Sequence, residues 1–365
     1  MSTILSAPAA ARLTGSHLTG TRLAGARLAG VLSALALSAG LAAAPAAAAD
    51  EVVAVYTTRE PGLFAPLAEA FTKKTGIKVV TVFVKDGLAE RVAAEGAASP
   101  ADLLMAVDVG VLAELADKGV TQPLKSAAAE KAVPANLRAA DGSWTALSLR
   151  ARLVFADKAL GLKSISYADL ADPKWQGRLC IRSGQHPYNT ALLAAVLAHD
   201  GPEKAKAWIA GLKANLAKKP SGGDRDVARD ILGGLCSIGV GNSYYVGLMR
   251  SGRGGPEQKT WGDGIDVLLP TFPGGGTHVN VTGAALAKHA PHAEAARRLV
   301  EYLVSPEGQQ VYAEQNFEYP VVPGAAAEPT IAGLGVLKVD ALPVAEIARH
   351  RRAASLLVDE VGFDQ

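Results

Sequence analysis

From residue 52 onward, short apolar runs of strand length alternate with stretches of helical spacing. That alternation restricts the chain to an α/β class in which a largely parallel sheet is covered by helices on both faces. Residues 52–56 form a valine-rich run, 64–74 have helical spacing and stop at Gly76, and 78–84 read as a second strand. Helices over 88–95 and 109–118, the latter closed by Gly119, flank a strand at 102–107. The middle repeats the style, with strands at 147–155, 178–181, 236–241 and 265–269 and helices at 189–199, 202–218 and 225–234. A strand at 279–287 precedes helices at 293–303 and 306–315, and the tail after Pro323 holds one helical stretch, 343–358. The 365 residues accommodate two domains of about 150 residues each. Two glycine clusters, Gly274-Gly275-Gly276 and Ser221-Gly222-Gly223, lack the Lys-Ser/Thr of a phosphate loop and read as turns.

The first 49 residues differ in kind. They contain Arg12, Arg22 and Arg27, no acidic residue, an apolar run over 28–41, and small residues up to Ala49. This is the pattern of a secretory signal, with cleavage expected after Ala49; the alternative is an uncleaved anchor, for which the apolar run is short. Loss of the three arginines takes the net charge from +2 to −1. No basic stripe remains to suggest nucleic acid or a membrane surface. Cys180 and Cys236, both beyond the signal, are an even pair in an exported chain, which favours one disulfide over two buried thiols. The bridge would contribute about 4 kcal/mol in the chain-entropy account.

Aromatic residues are only 5% of the chain, so a cluster of them is informative. Tyr244 and Tyr245 are adjacent, just after the apolar run Ile238-Gly239-Val240-Gly241. Successive strand residues point to opposite faces, so at a strand end or loop both could turn toward one cleft. Tyr188 lies just before a helix, where an α/β sheet places ligands beyond the carboxyl ends of its strands. Cys180 precedes Tyr188 by eight residues and Cys236 precedes Tyr244 by eight, so a disulfide would hold the two tyrosine segments side by side. Phenolate is a hard anionic donor suited to a highly charged hard cation, and three would neutralise ferric iron. The alternative is a set of tyrosines packed at a domain interface. None of His186, His289 and His292 shows zinc spacing.

Arg59 follows Thr57-Thr58 at a helix start marked by Pro61, which suits an anion or a solvated arginine equally. Arg150 and Arg152 share one face of a strand-like segment, which borders a cleft or faces solvent.

From about residue 50 to 324 the chain resembles the iron-binding proteins of bacterial ABC importers. The likeness rests on Thr75-Gly76-Ile77-Lys78-Val79, Ser99-Pro100-Ala101-Asp102-Leu103-Leu104, Gly241-Asn242-Ser243-Tyr244-Tyr245, Ser305-Pro306-Glu307-Gly308-Gln309 and Asn316-Phe317-Glu318-Tyr319-Pro320. The Asn-Ser-Tyr-Tyr stretch and Tyr188-Asn189 are its specific part. The resemblance implies a two-lobed periplasmic-binding-protein fold of the class II type, each lobe a mixed, mostly parallel sheet flanked by helices, with two crossing hinge strands near 147–152 and 279–282. The first lobe would take 50–148 and 280–322, the second 149–279, and the tail 323–365 would return to the second. It also implies that Tyr188, Tyr244 and Tyr245 ligate Fe(3+) and that the lobes close by a hinge. The implied setting is periplasmic, with a monomer serving an inner-membrane ABC permease and no nucleic acid.

Many relatives carry a further tyrosine or histidine ligand after the first strand, where this chain reads Thr57-Thr58-Arg59-Glu60-Pro61. We therefore expect a three-tyrosine site completed by an exogenous anion such as carbonate. Arg59 would hold it, with Thr58 and Arg150 nearby, and Glu60 would be a fourth ligand or the partner of Arg59. A second reading keeps the fold but binds thiamine, a polyamine or an oxyanion. A secreted hydrolase has no Gly-x-Ser-x-Gly elbow or His-Glu-x-x-His helix to support it, so no enzymatic activity is expected.

Overall fold

The computed structural model describes residues 51–365, so the signal expected at 1–49 lies outside the described residues. The chain opens with β1 (Val52–Thr57), α1 (Pro61–Thr75), β2 (Lys78–Phe83), α2 (Leu88–Glu95), β3 (Leu103–Ala106) and α3 (Val109–Asp117). Short β4 (Thr121–Gln122) and α4 (Ala127–Ala132) lead into the long β5 (Thr145–Asp157). Next come β6 (Leu179–Cys180), α5 (Pro187–Asp200), α6 (Pro202–Asn215), α7 (Asp224–Leu232), β7 (Ile238–Asn242), α8 (Ser243–Arg250), α9 (Pro256–Gly264) and β8 (Ile265–Leu268). The chain then runs through β9 (Val279–Ala287), α10 (Ala293–Leu303), α11 (Pro306–Asn316), β10 (Tyr319–Pro320), α12 (Pro329–Ala332) and α13 (Val344–Val361). Among the described residues no helix is long and apolar enough to cross a membrane.

The strand path is β2-β1-β3-β9-β5-β7-β6. β5 belongs to both halves of it. Residues 145–151 pair with β9, whereas 152–157 pair with β7 on one side and β8 on the other. The sheets are more mixed than the alternation suggests. Parallel pairing is confined to β1 with β2 and β3, and to β6 with β7; β5 and β9 pair antiparallel with all their partners. A chain that leaves one half on β5 and comes back on β9 must run in opposite directions on those two strands.

Local signals hold at most boundaries. Pro61 opens α1, and Gly76 closes it in the left-handed region at φ 78°. α1 buries Phe64, Leu67 and Phe71, and β1 and β3 bury Val53, Val55, Leu103 and Leu104 between helices. Gly241 has a packing reason: a Cβ there would overlap the Phe155 ring, so only glycine lets β7 lie this close to β5. Cys180 and Cys236 form the expected disulfide. It joins the end of β6 to the entry of its parallel neighbour β7. α13 packs on α5 and α6 and also reaches α3.

Candidate metal centre

Tyr188 sits in the first turn of α5, after Pro187 and with His186 as the N-cap. Tyr244 and Tyr245 sit in the first turn of α8. The tyrosine pair thus stands on a helix start rather than on a strand end or loop. Helical residues succeed one another at about 100°, so the two rings can lie side by side where strand neighbours could not. Their centroids are 4.1 Å apart, and the Tyr244 hydroxyl donates to that of Tyr188 at 3.2 Å. Gly247 fixes the approach of α8, because a Cβ there would run into Phe317.

The three phenols face a cavity of about 510 Å³, within the range of small-ligand clefts. Its other lining includes Thr58, Arg59, Glu60, Arg150, Arg225, Arg253 and Glu318. Burial, then the neighbouring phenols Tyr188 and Tyr245, hold Tyr244 well above the ordinary phenol pKa; Arg150 opposes them. Tyr245 is raised by burial and by Tyr188. The phenols of Tyr244 and Tyr245 are therefore neutral at pH 7 without a cation. All three tyrosines sit in the first turns of their helices, α5 and α8. Guanidinium groups also stand over them, Arg182 5.2 Å and Arg150 5.6 Å from the Tyr188 ring and Arg225 5.7 Å from that of Tyr245.

The remaining candidates fall differently. Arg59 is buried, and its partner is Glu318, not Glu60. Burial opposes the charge of Arg59, but Glu318 and Tyr312 outweigh it, so its pKa lies above the ordinary value. Glu318 also accepts from the hydroxyls of Ser148 and Thr282. Glu60 is exposed at the N-cap of α1 with no side-chain capping bond. It loses the arginine because Glu318 approaches from a buried position where an unpaired guanidinium is costly. The Thr58 hydroxyl accepts from the Val107 N–H at 3.1 Å. Arg150 and Arg152 are both buried, not solvated. Arg150 donates to the carbonyls of Val107 and Val281. The buried Nε atoms of Arg59 and Arg150 have no hydrogen-bond partner among the described residues. Among the described residues, no group of three His, Cys, Asp or Glu could hold a metal.

Glu318, Arg225 and Arg253 are cavity residues that sequence reasoning passed over. Glu318 had a signal, a lone charge between aromatics in Asn316-Phe317-Glu318-Tyr319-Pro320. Phe317 adopts the left-handed conformation at φ 55°, unusual for a non-glycine residue, and there the chain leaves α11 just before Glu318.

The model of the bacterial extracellular solute-binding protein family matches residues 98–333. The chain belongs to this family. Iron uptake protein A1 of a Synechocystis strain is 36% identical over 314 residues, 85% of this chain and 87% of that protein. A Bordetella ferric binding protein of known structure is 59% identical with a TM-score of 0.83, covering 86% of this chain and all of its own. A Trichodesmium protein solved in complex with iron and citrate ligands is 36% identical with a TM-score of 0.81, covering 86% of this chain and 99% of its own. This chain shares with them the two-lobed periplasmic-binding-protein fold.

Proposed function

We propose that this protein captures ferric iron in the periplasm and delivers it to an ABC importer, as a binding protein rather than an enzyme. Tyr188, Tyr244 and Tyr245 would be the protein ligands. The observation that carries this reading is three phenols converging on one cavity from two helix N-termini, with Tyr188 and Tyr244 3.2 Å apart at their hydroxyls. A trivalent cation displaces the phenol protons that burial otherwise retains. The names of the relatives above support the choice of iron. The lobe boundaries we propose are 50–148 with 280–322, and 149–279 with the tail 323–365. They are supported by β5, which changes partners between Ala151 and Arg152.

A bound anion completes the site in this reading. Three phenolates cancel one ferric ion, leaving Arg150, Arg225 and Arg253 lining the cavity without a carboxylate partner among the described residues, beside the Arg59–Glu318 pair. The unpartnered Nε atoms of Arg59 and Arg150 suit carbonate or a larger carboxylate, and a cavity of about 510 Å³ has room for either. Thr58 and Glu60 would border that anion. Titration calorimetry of metal-free protein with ferric citrate, thiamine, spermidine and phosphate tests the reading. Saturation by ferric citrate at one ion per chain, without heat from thiamine or spermidine, supports it; saturation by an organic cation and not by iron replaces it.

A further inference from the structure

Beneath the phenols lies a charged cluster that does not line the cavity. Arg152 is buried, and its guanidinium reaches three elements. Nη2 donates to Asn189 Oδ1 at 2.5 Å, and Nη1 donates to Asp224 Oδ2 at 2.6 Å and to Asn242 Oδ1 at 3.1 Å. Asn189 follows Tyr188 in α5, Asn242 is the N-cap of the helix that carries Tyr244 and Tyr245, and Asp224 opens α7. Asp224, fully desolvated, also accepts from the Asn242 N–H at 2.8 Å and from Arg182 at 3.2 Å. The Asn189 amide in turn donates to the carbonyls of Arg182 and Ser183, tying the loop before Tyr188 to the same hub.

We infer that Arg152 is a positioning residue that holds the two tyrosine-bearing helix starts, and the α7 start beside them, in the spacing a ferric ion requires; this rests on the ferric reading above. A flat guanidinium with fixed donor directions can bridge two asparagine oxygens and a carboxylate at once, which a lysine ammonium on a flexible stem does not reproduce. Stability alone explains the cluster poorly, since a buried ion pair often contributes no more than apolar packing of the same volume. Geometry explains it better. Every acceptor on the fork sits within two residues of a phenol or at the start of the helix bearing Arg225.

The test compares wild type with Arg152→Lys, Arg152→Met and Asn189→Ala, the last removing one acceptor and leaving the buried charge in place. Ferric affinity is read by citrate competition, the visible tyrosinate-to-iron band by absorption, and metal-free stability by thermal unfolding. The two Arg152 variants are expected to bind about 10- to 100-fold more weakly, the usual cost of losing an outer support of a metal ligand. Their band should shift and weaken, with Asn189→Ala moving the same way by less. Phe71→Leu, in the core under α1, lowers the unfolding temperature and leaves affinity within about twofold. Where Arg152→Met does not fold, Arg152→Lys and Asn189→Ala carry the test. Folded Arg152 variants with wild-type affinity and band overturn the inference, as does a loss that Phe71→Leu reproduces at equal destabilisation. No band in wild type overturns the ferric reading itself.

Discussion

Across the cavity, the loop after β1 and the segments after β6 and β7 present opposite chemistry. On the β1 side Arg59 and Glu318 are a buried pair whose remaining demands are largely met inside the protein, by Ser148 and Thr282. On the other side three phenols lie together, and burial keeps Tyr244 and Tyr245 from ionising on their own. One bank is electrostatically settled before any ligand arrives; the other is settled only when a cation comes. In the proposed reading the ligand donors are therefore one-sided. A ferric ion can load onto the phenol bank first, with the β1 bank contributing charge and shape to the anion beside it.

The largest effect should follow from breaking the phenol bank. Tyr244→Phe with Tyr245→Phe removes two donors and should abolish the visible band, with an affinity loss well beyond the ~10- to 100-fold of an outer-shell change. Breaking the other bank should read out in stability instead. Glu318→Gln leaves Arg59 buried without its counter-charge and should cost about 3–5 kcal/mol in urea unfolding. Arg59→Met added to it should cost less than the two single changes summed, because both remove the same pair.

Acid sharpens the comparison through His278, buried where the chain enters β9. Burial, then Arg152, lowers its pKa to about 3. The unfolded chain takes up a proton near pH 6.5 and the native one does not. The stability this group supports is thus complete above pH 6.5 and is lost as pH falls toward 3, with a slope of at most about 1.4 kcal/mol per pH unit. His278→Gln should flatten that limb between pH 7 and 5 in urea titrations. Ferric affinity should still fall with pH in that variant, since each phenol that binds the metal gives up a proton. The smallest effect belongs to Glu60→Gln, exposed and unpaired with Arg59. It should change stability by less than about 0.5 kcal/mol and leave the band in place; a lost band would make Glu60 a ligand.

Much of this was readable before the fold. Tyr188, Tyr244 and Tyr245 stand out because tyrosine is scarce and because each segment follows a cysteine by the same eight residues. The disulfide and most helix ends carry local signatures such as Gly76 and Pro61, which act within a turn of chain. What was not readable depends on distance. Glu318 meets Arg59 across 259 positions, and no local pattern encodes such a pairing. α8 was hidden because the tyrosines follow the apolar run Ile238 to Gly241 so closely that they read as a strand end or loop, whereas the helix starts at Ser243 and packs Gly247 on Phe317. The solvated alternative for Arg152 failed for the same reason: its acceptors, Asn189, Asp224 and Asn242, come from three separate elements.

The most direct test of one-sided tyrosinate capture is the visible absorption of iron-stripped protein titrated with ferric citrate in bicarbonate buffer. The account predicts a saturable charge-transfer band that Thr58→Ala and Glu60→Gln retain and that Tyr244→Phe with Tyr245→Phe abolishes. A folded wild-type protein that shows no band, or a band that survives loss of both tyrosines, would contradict it.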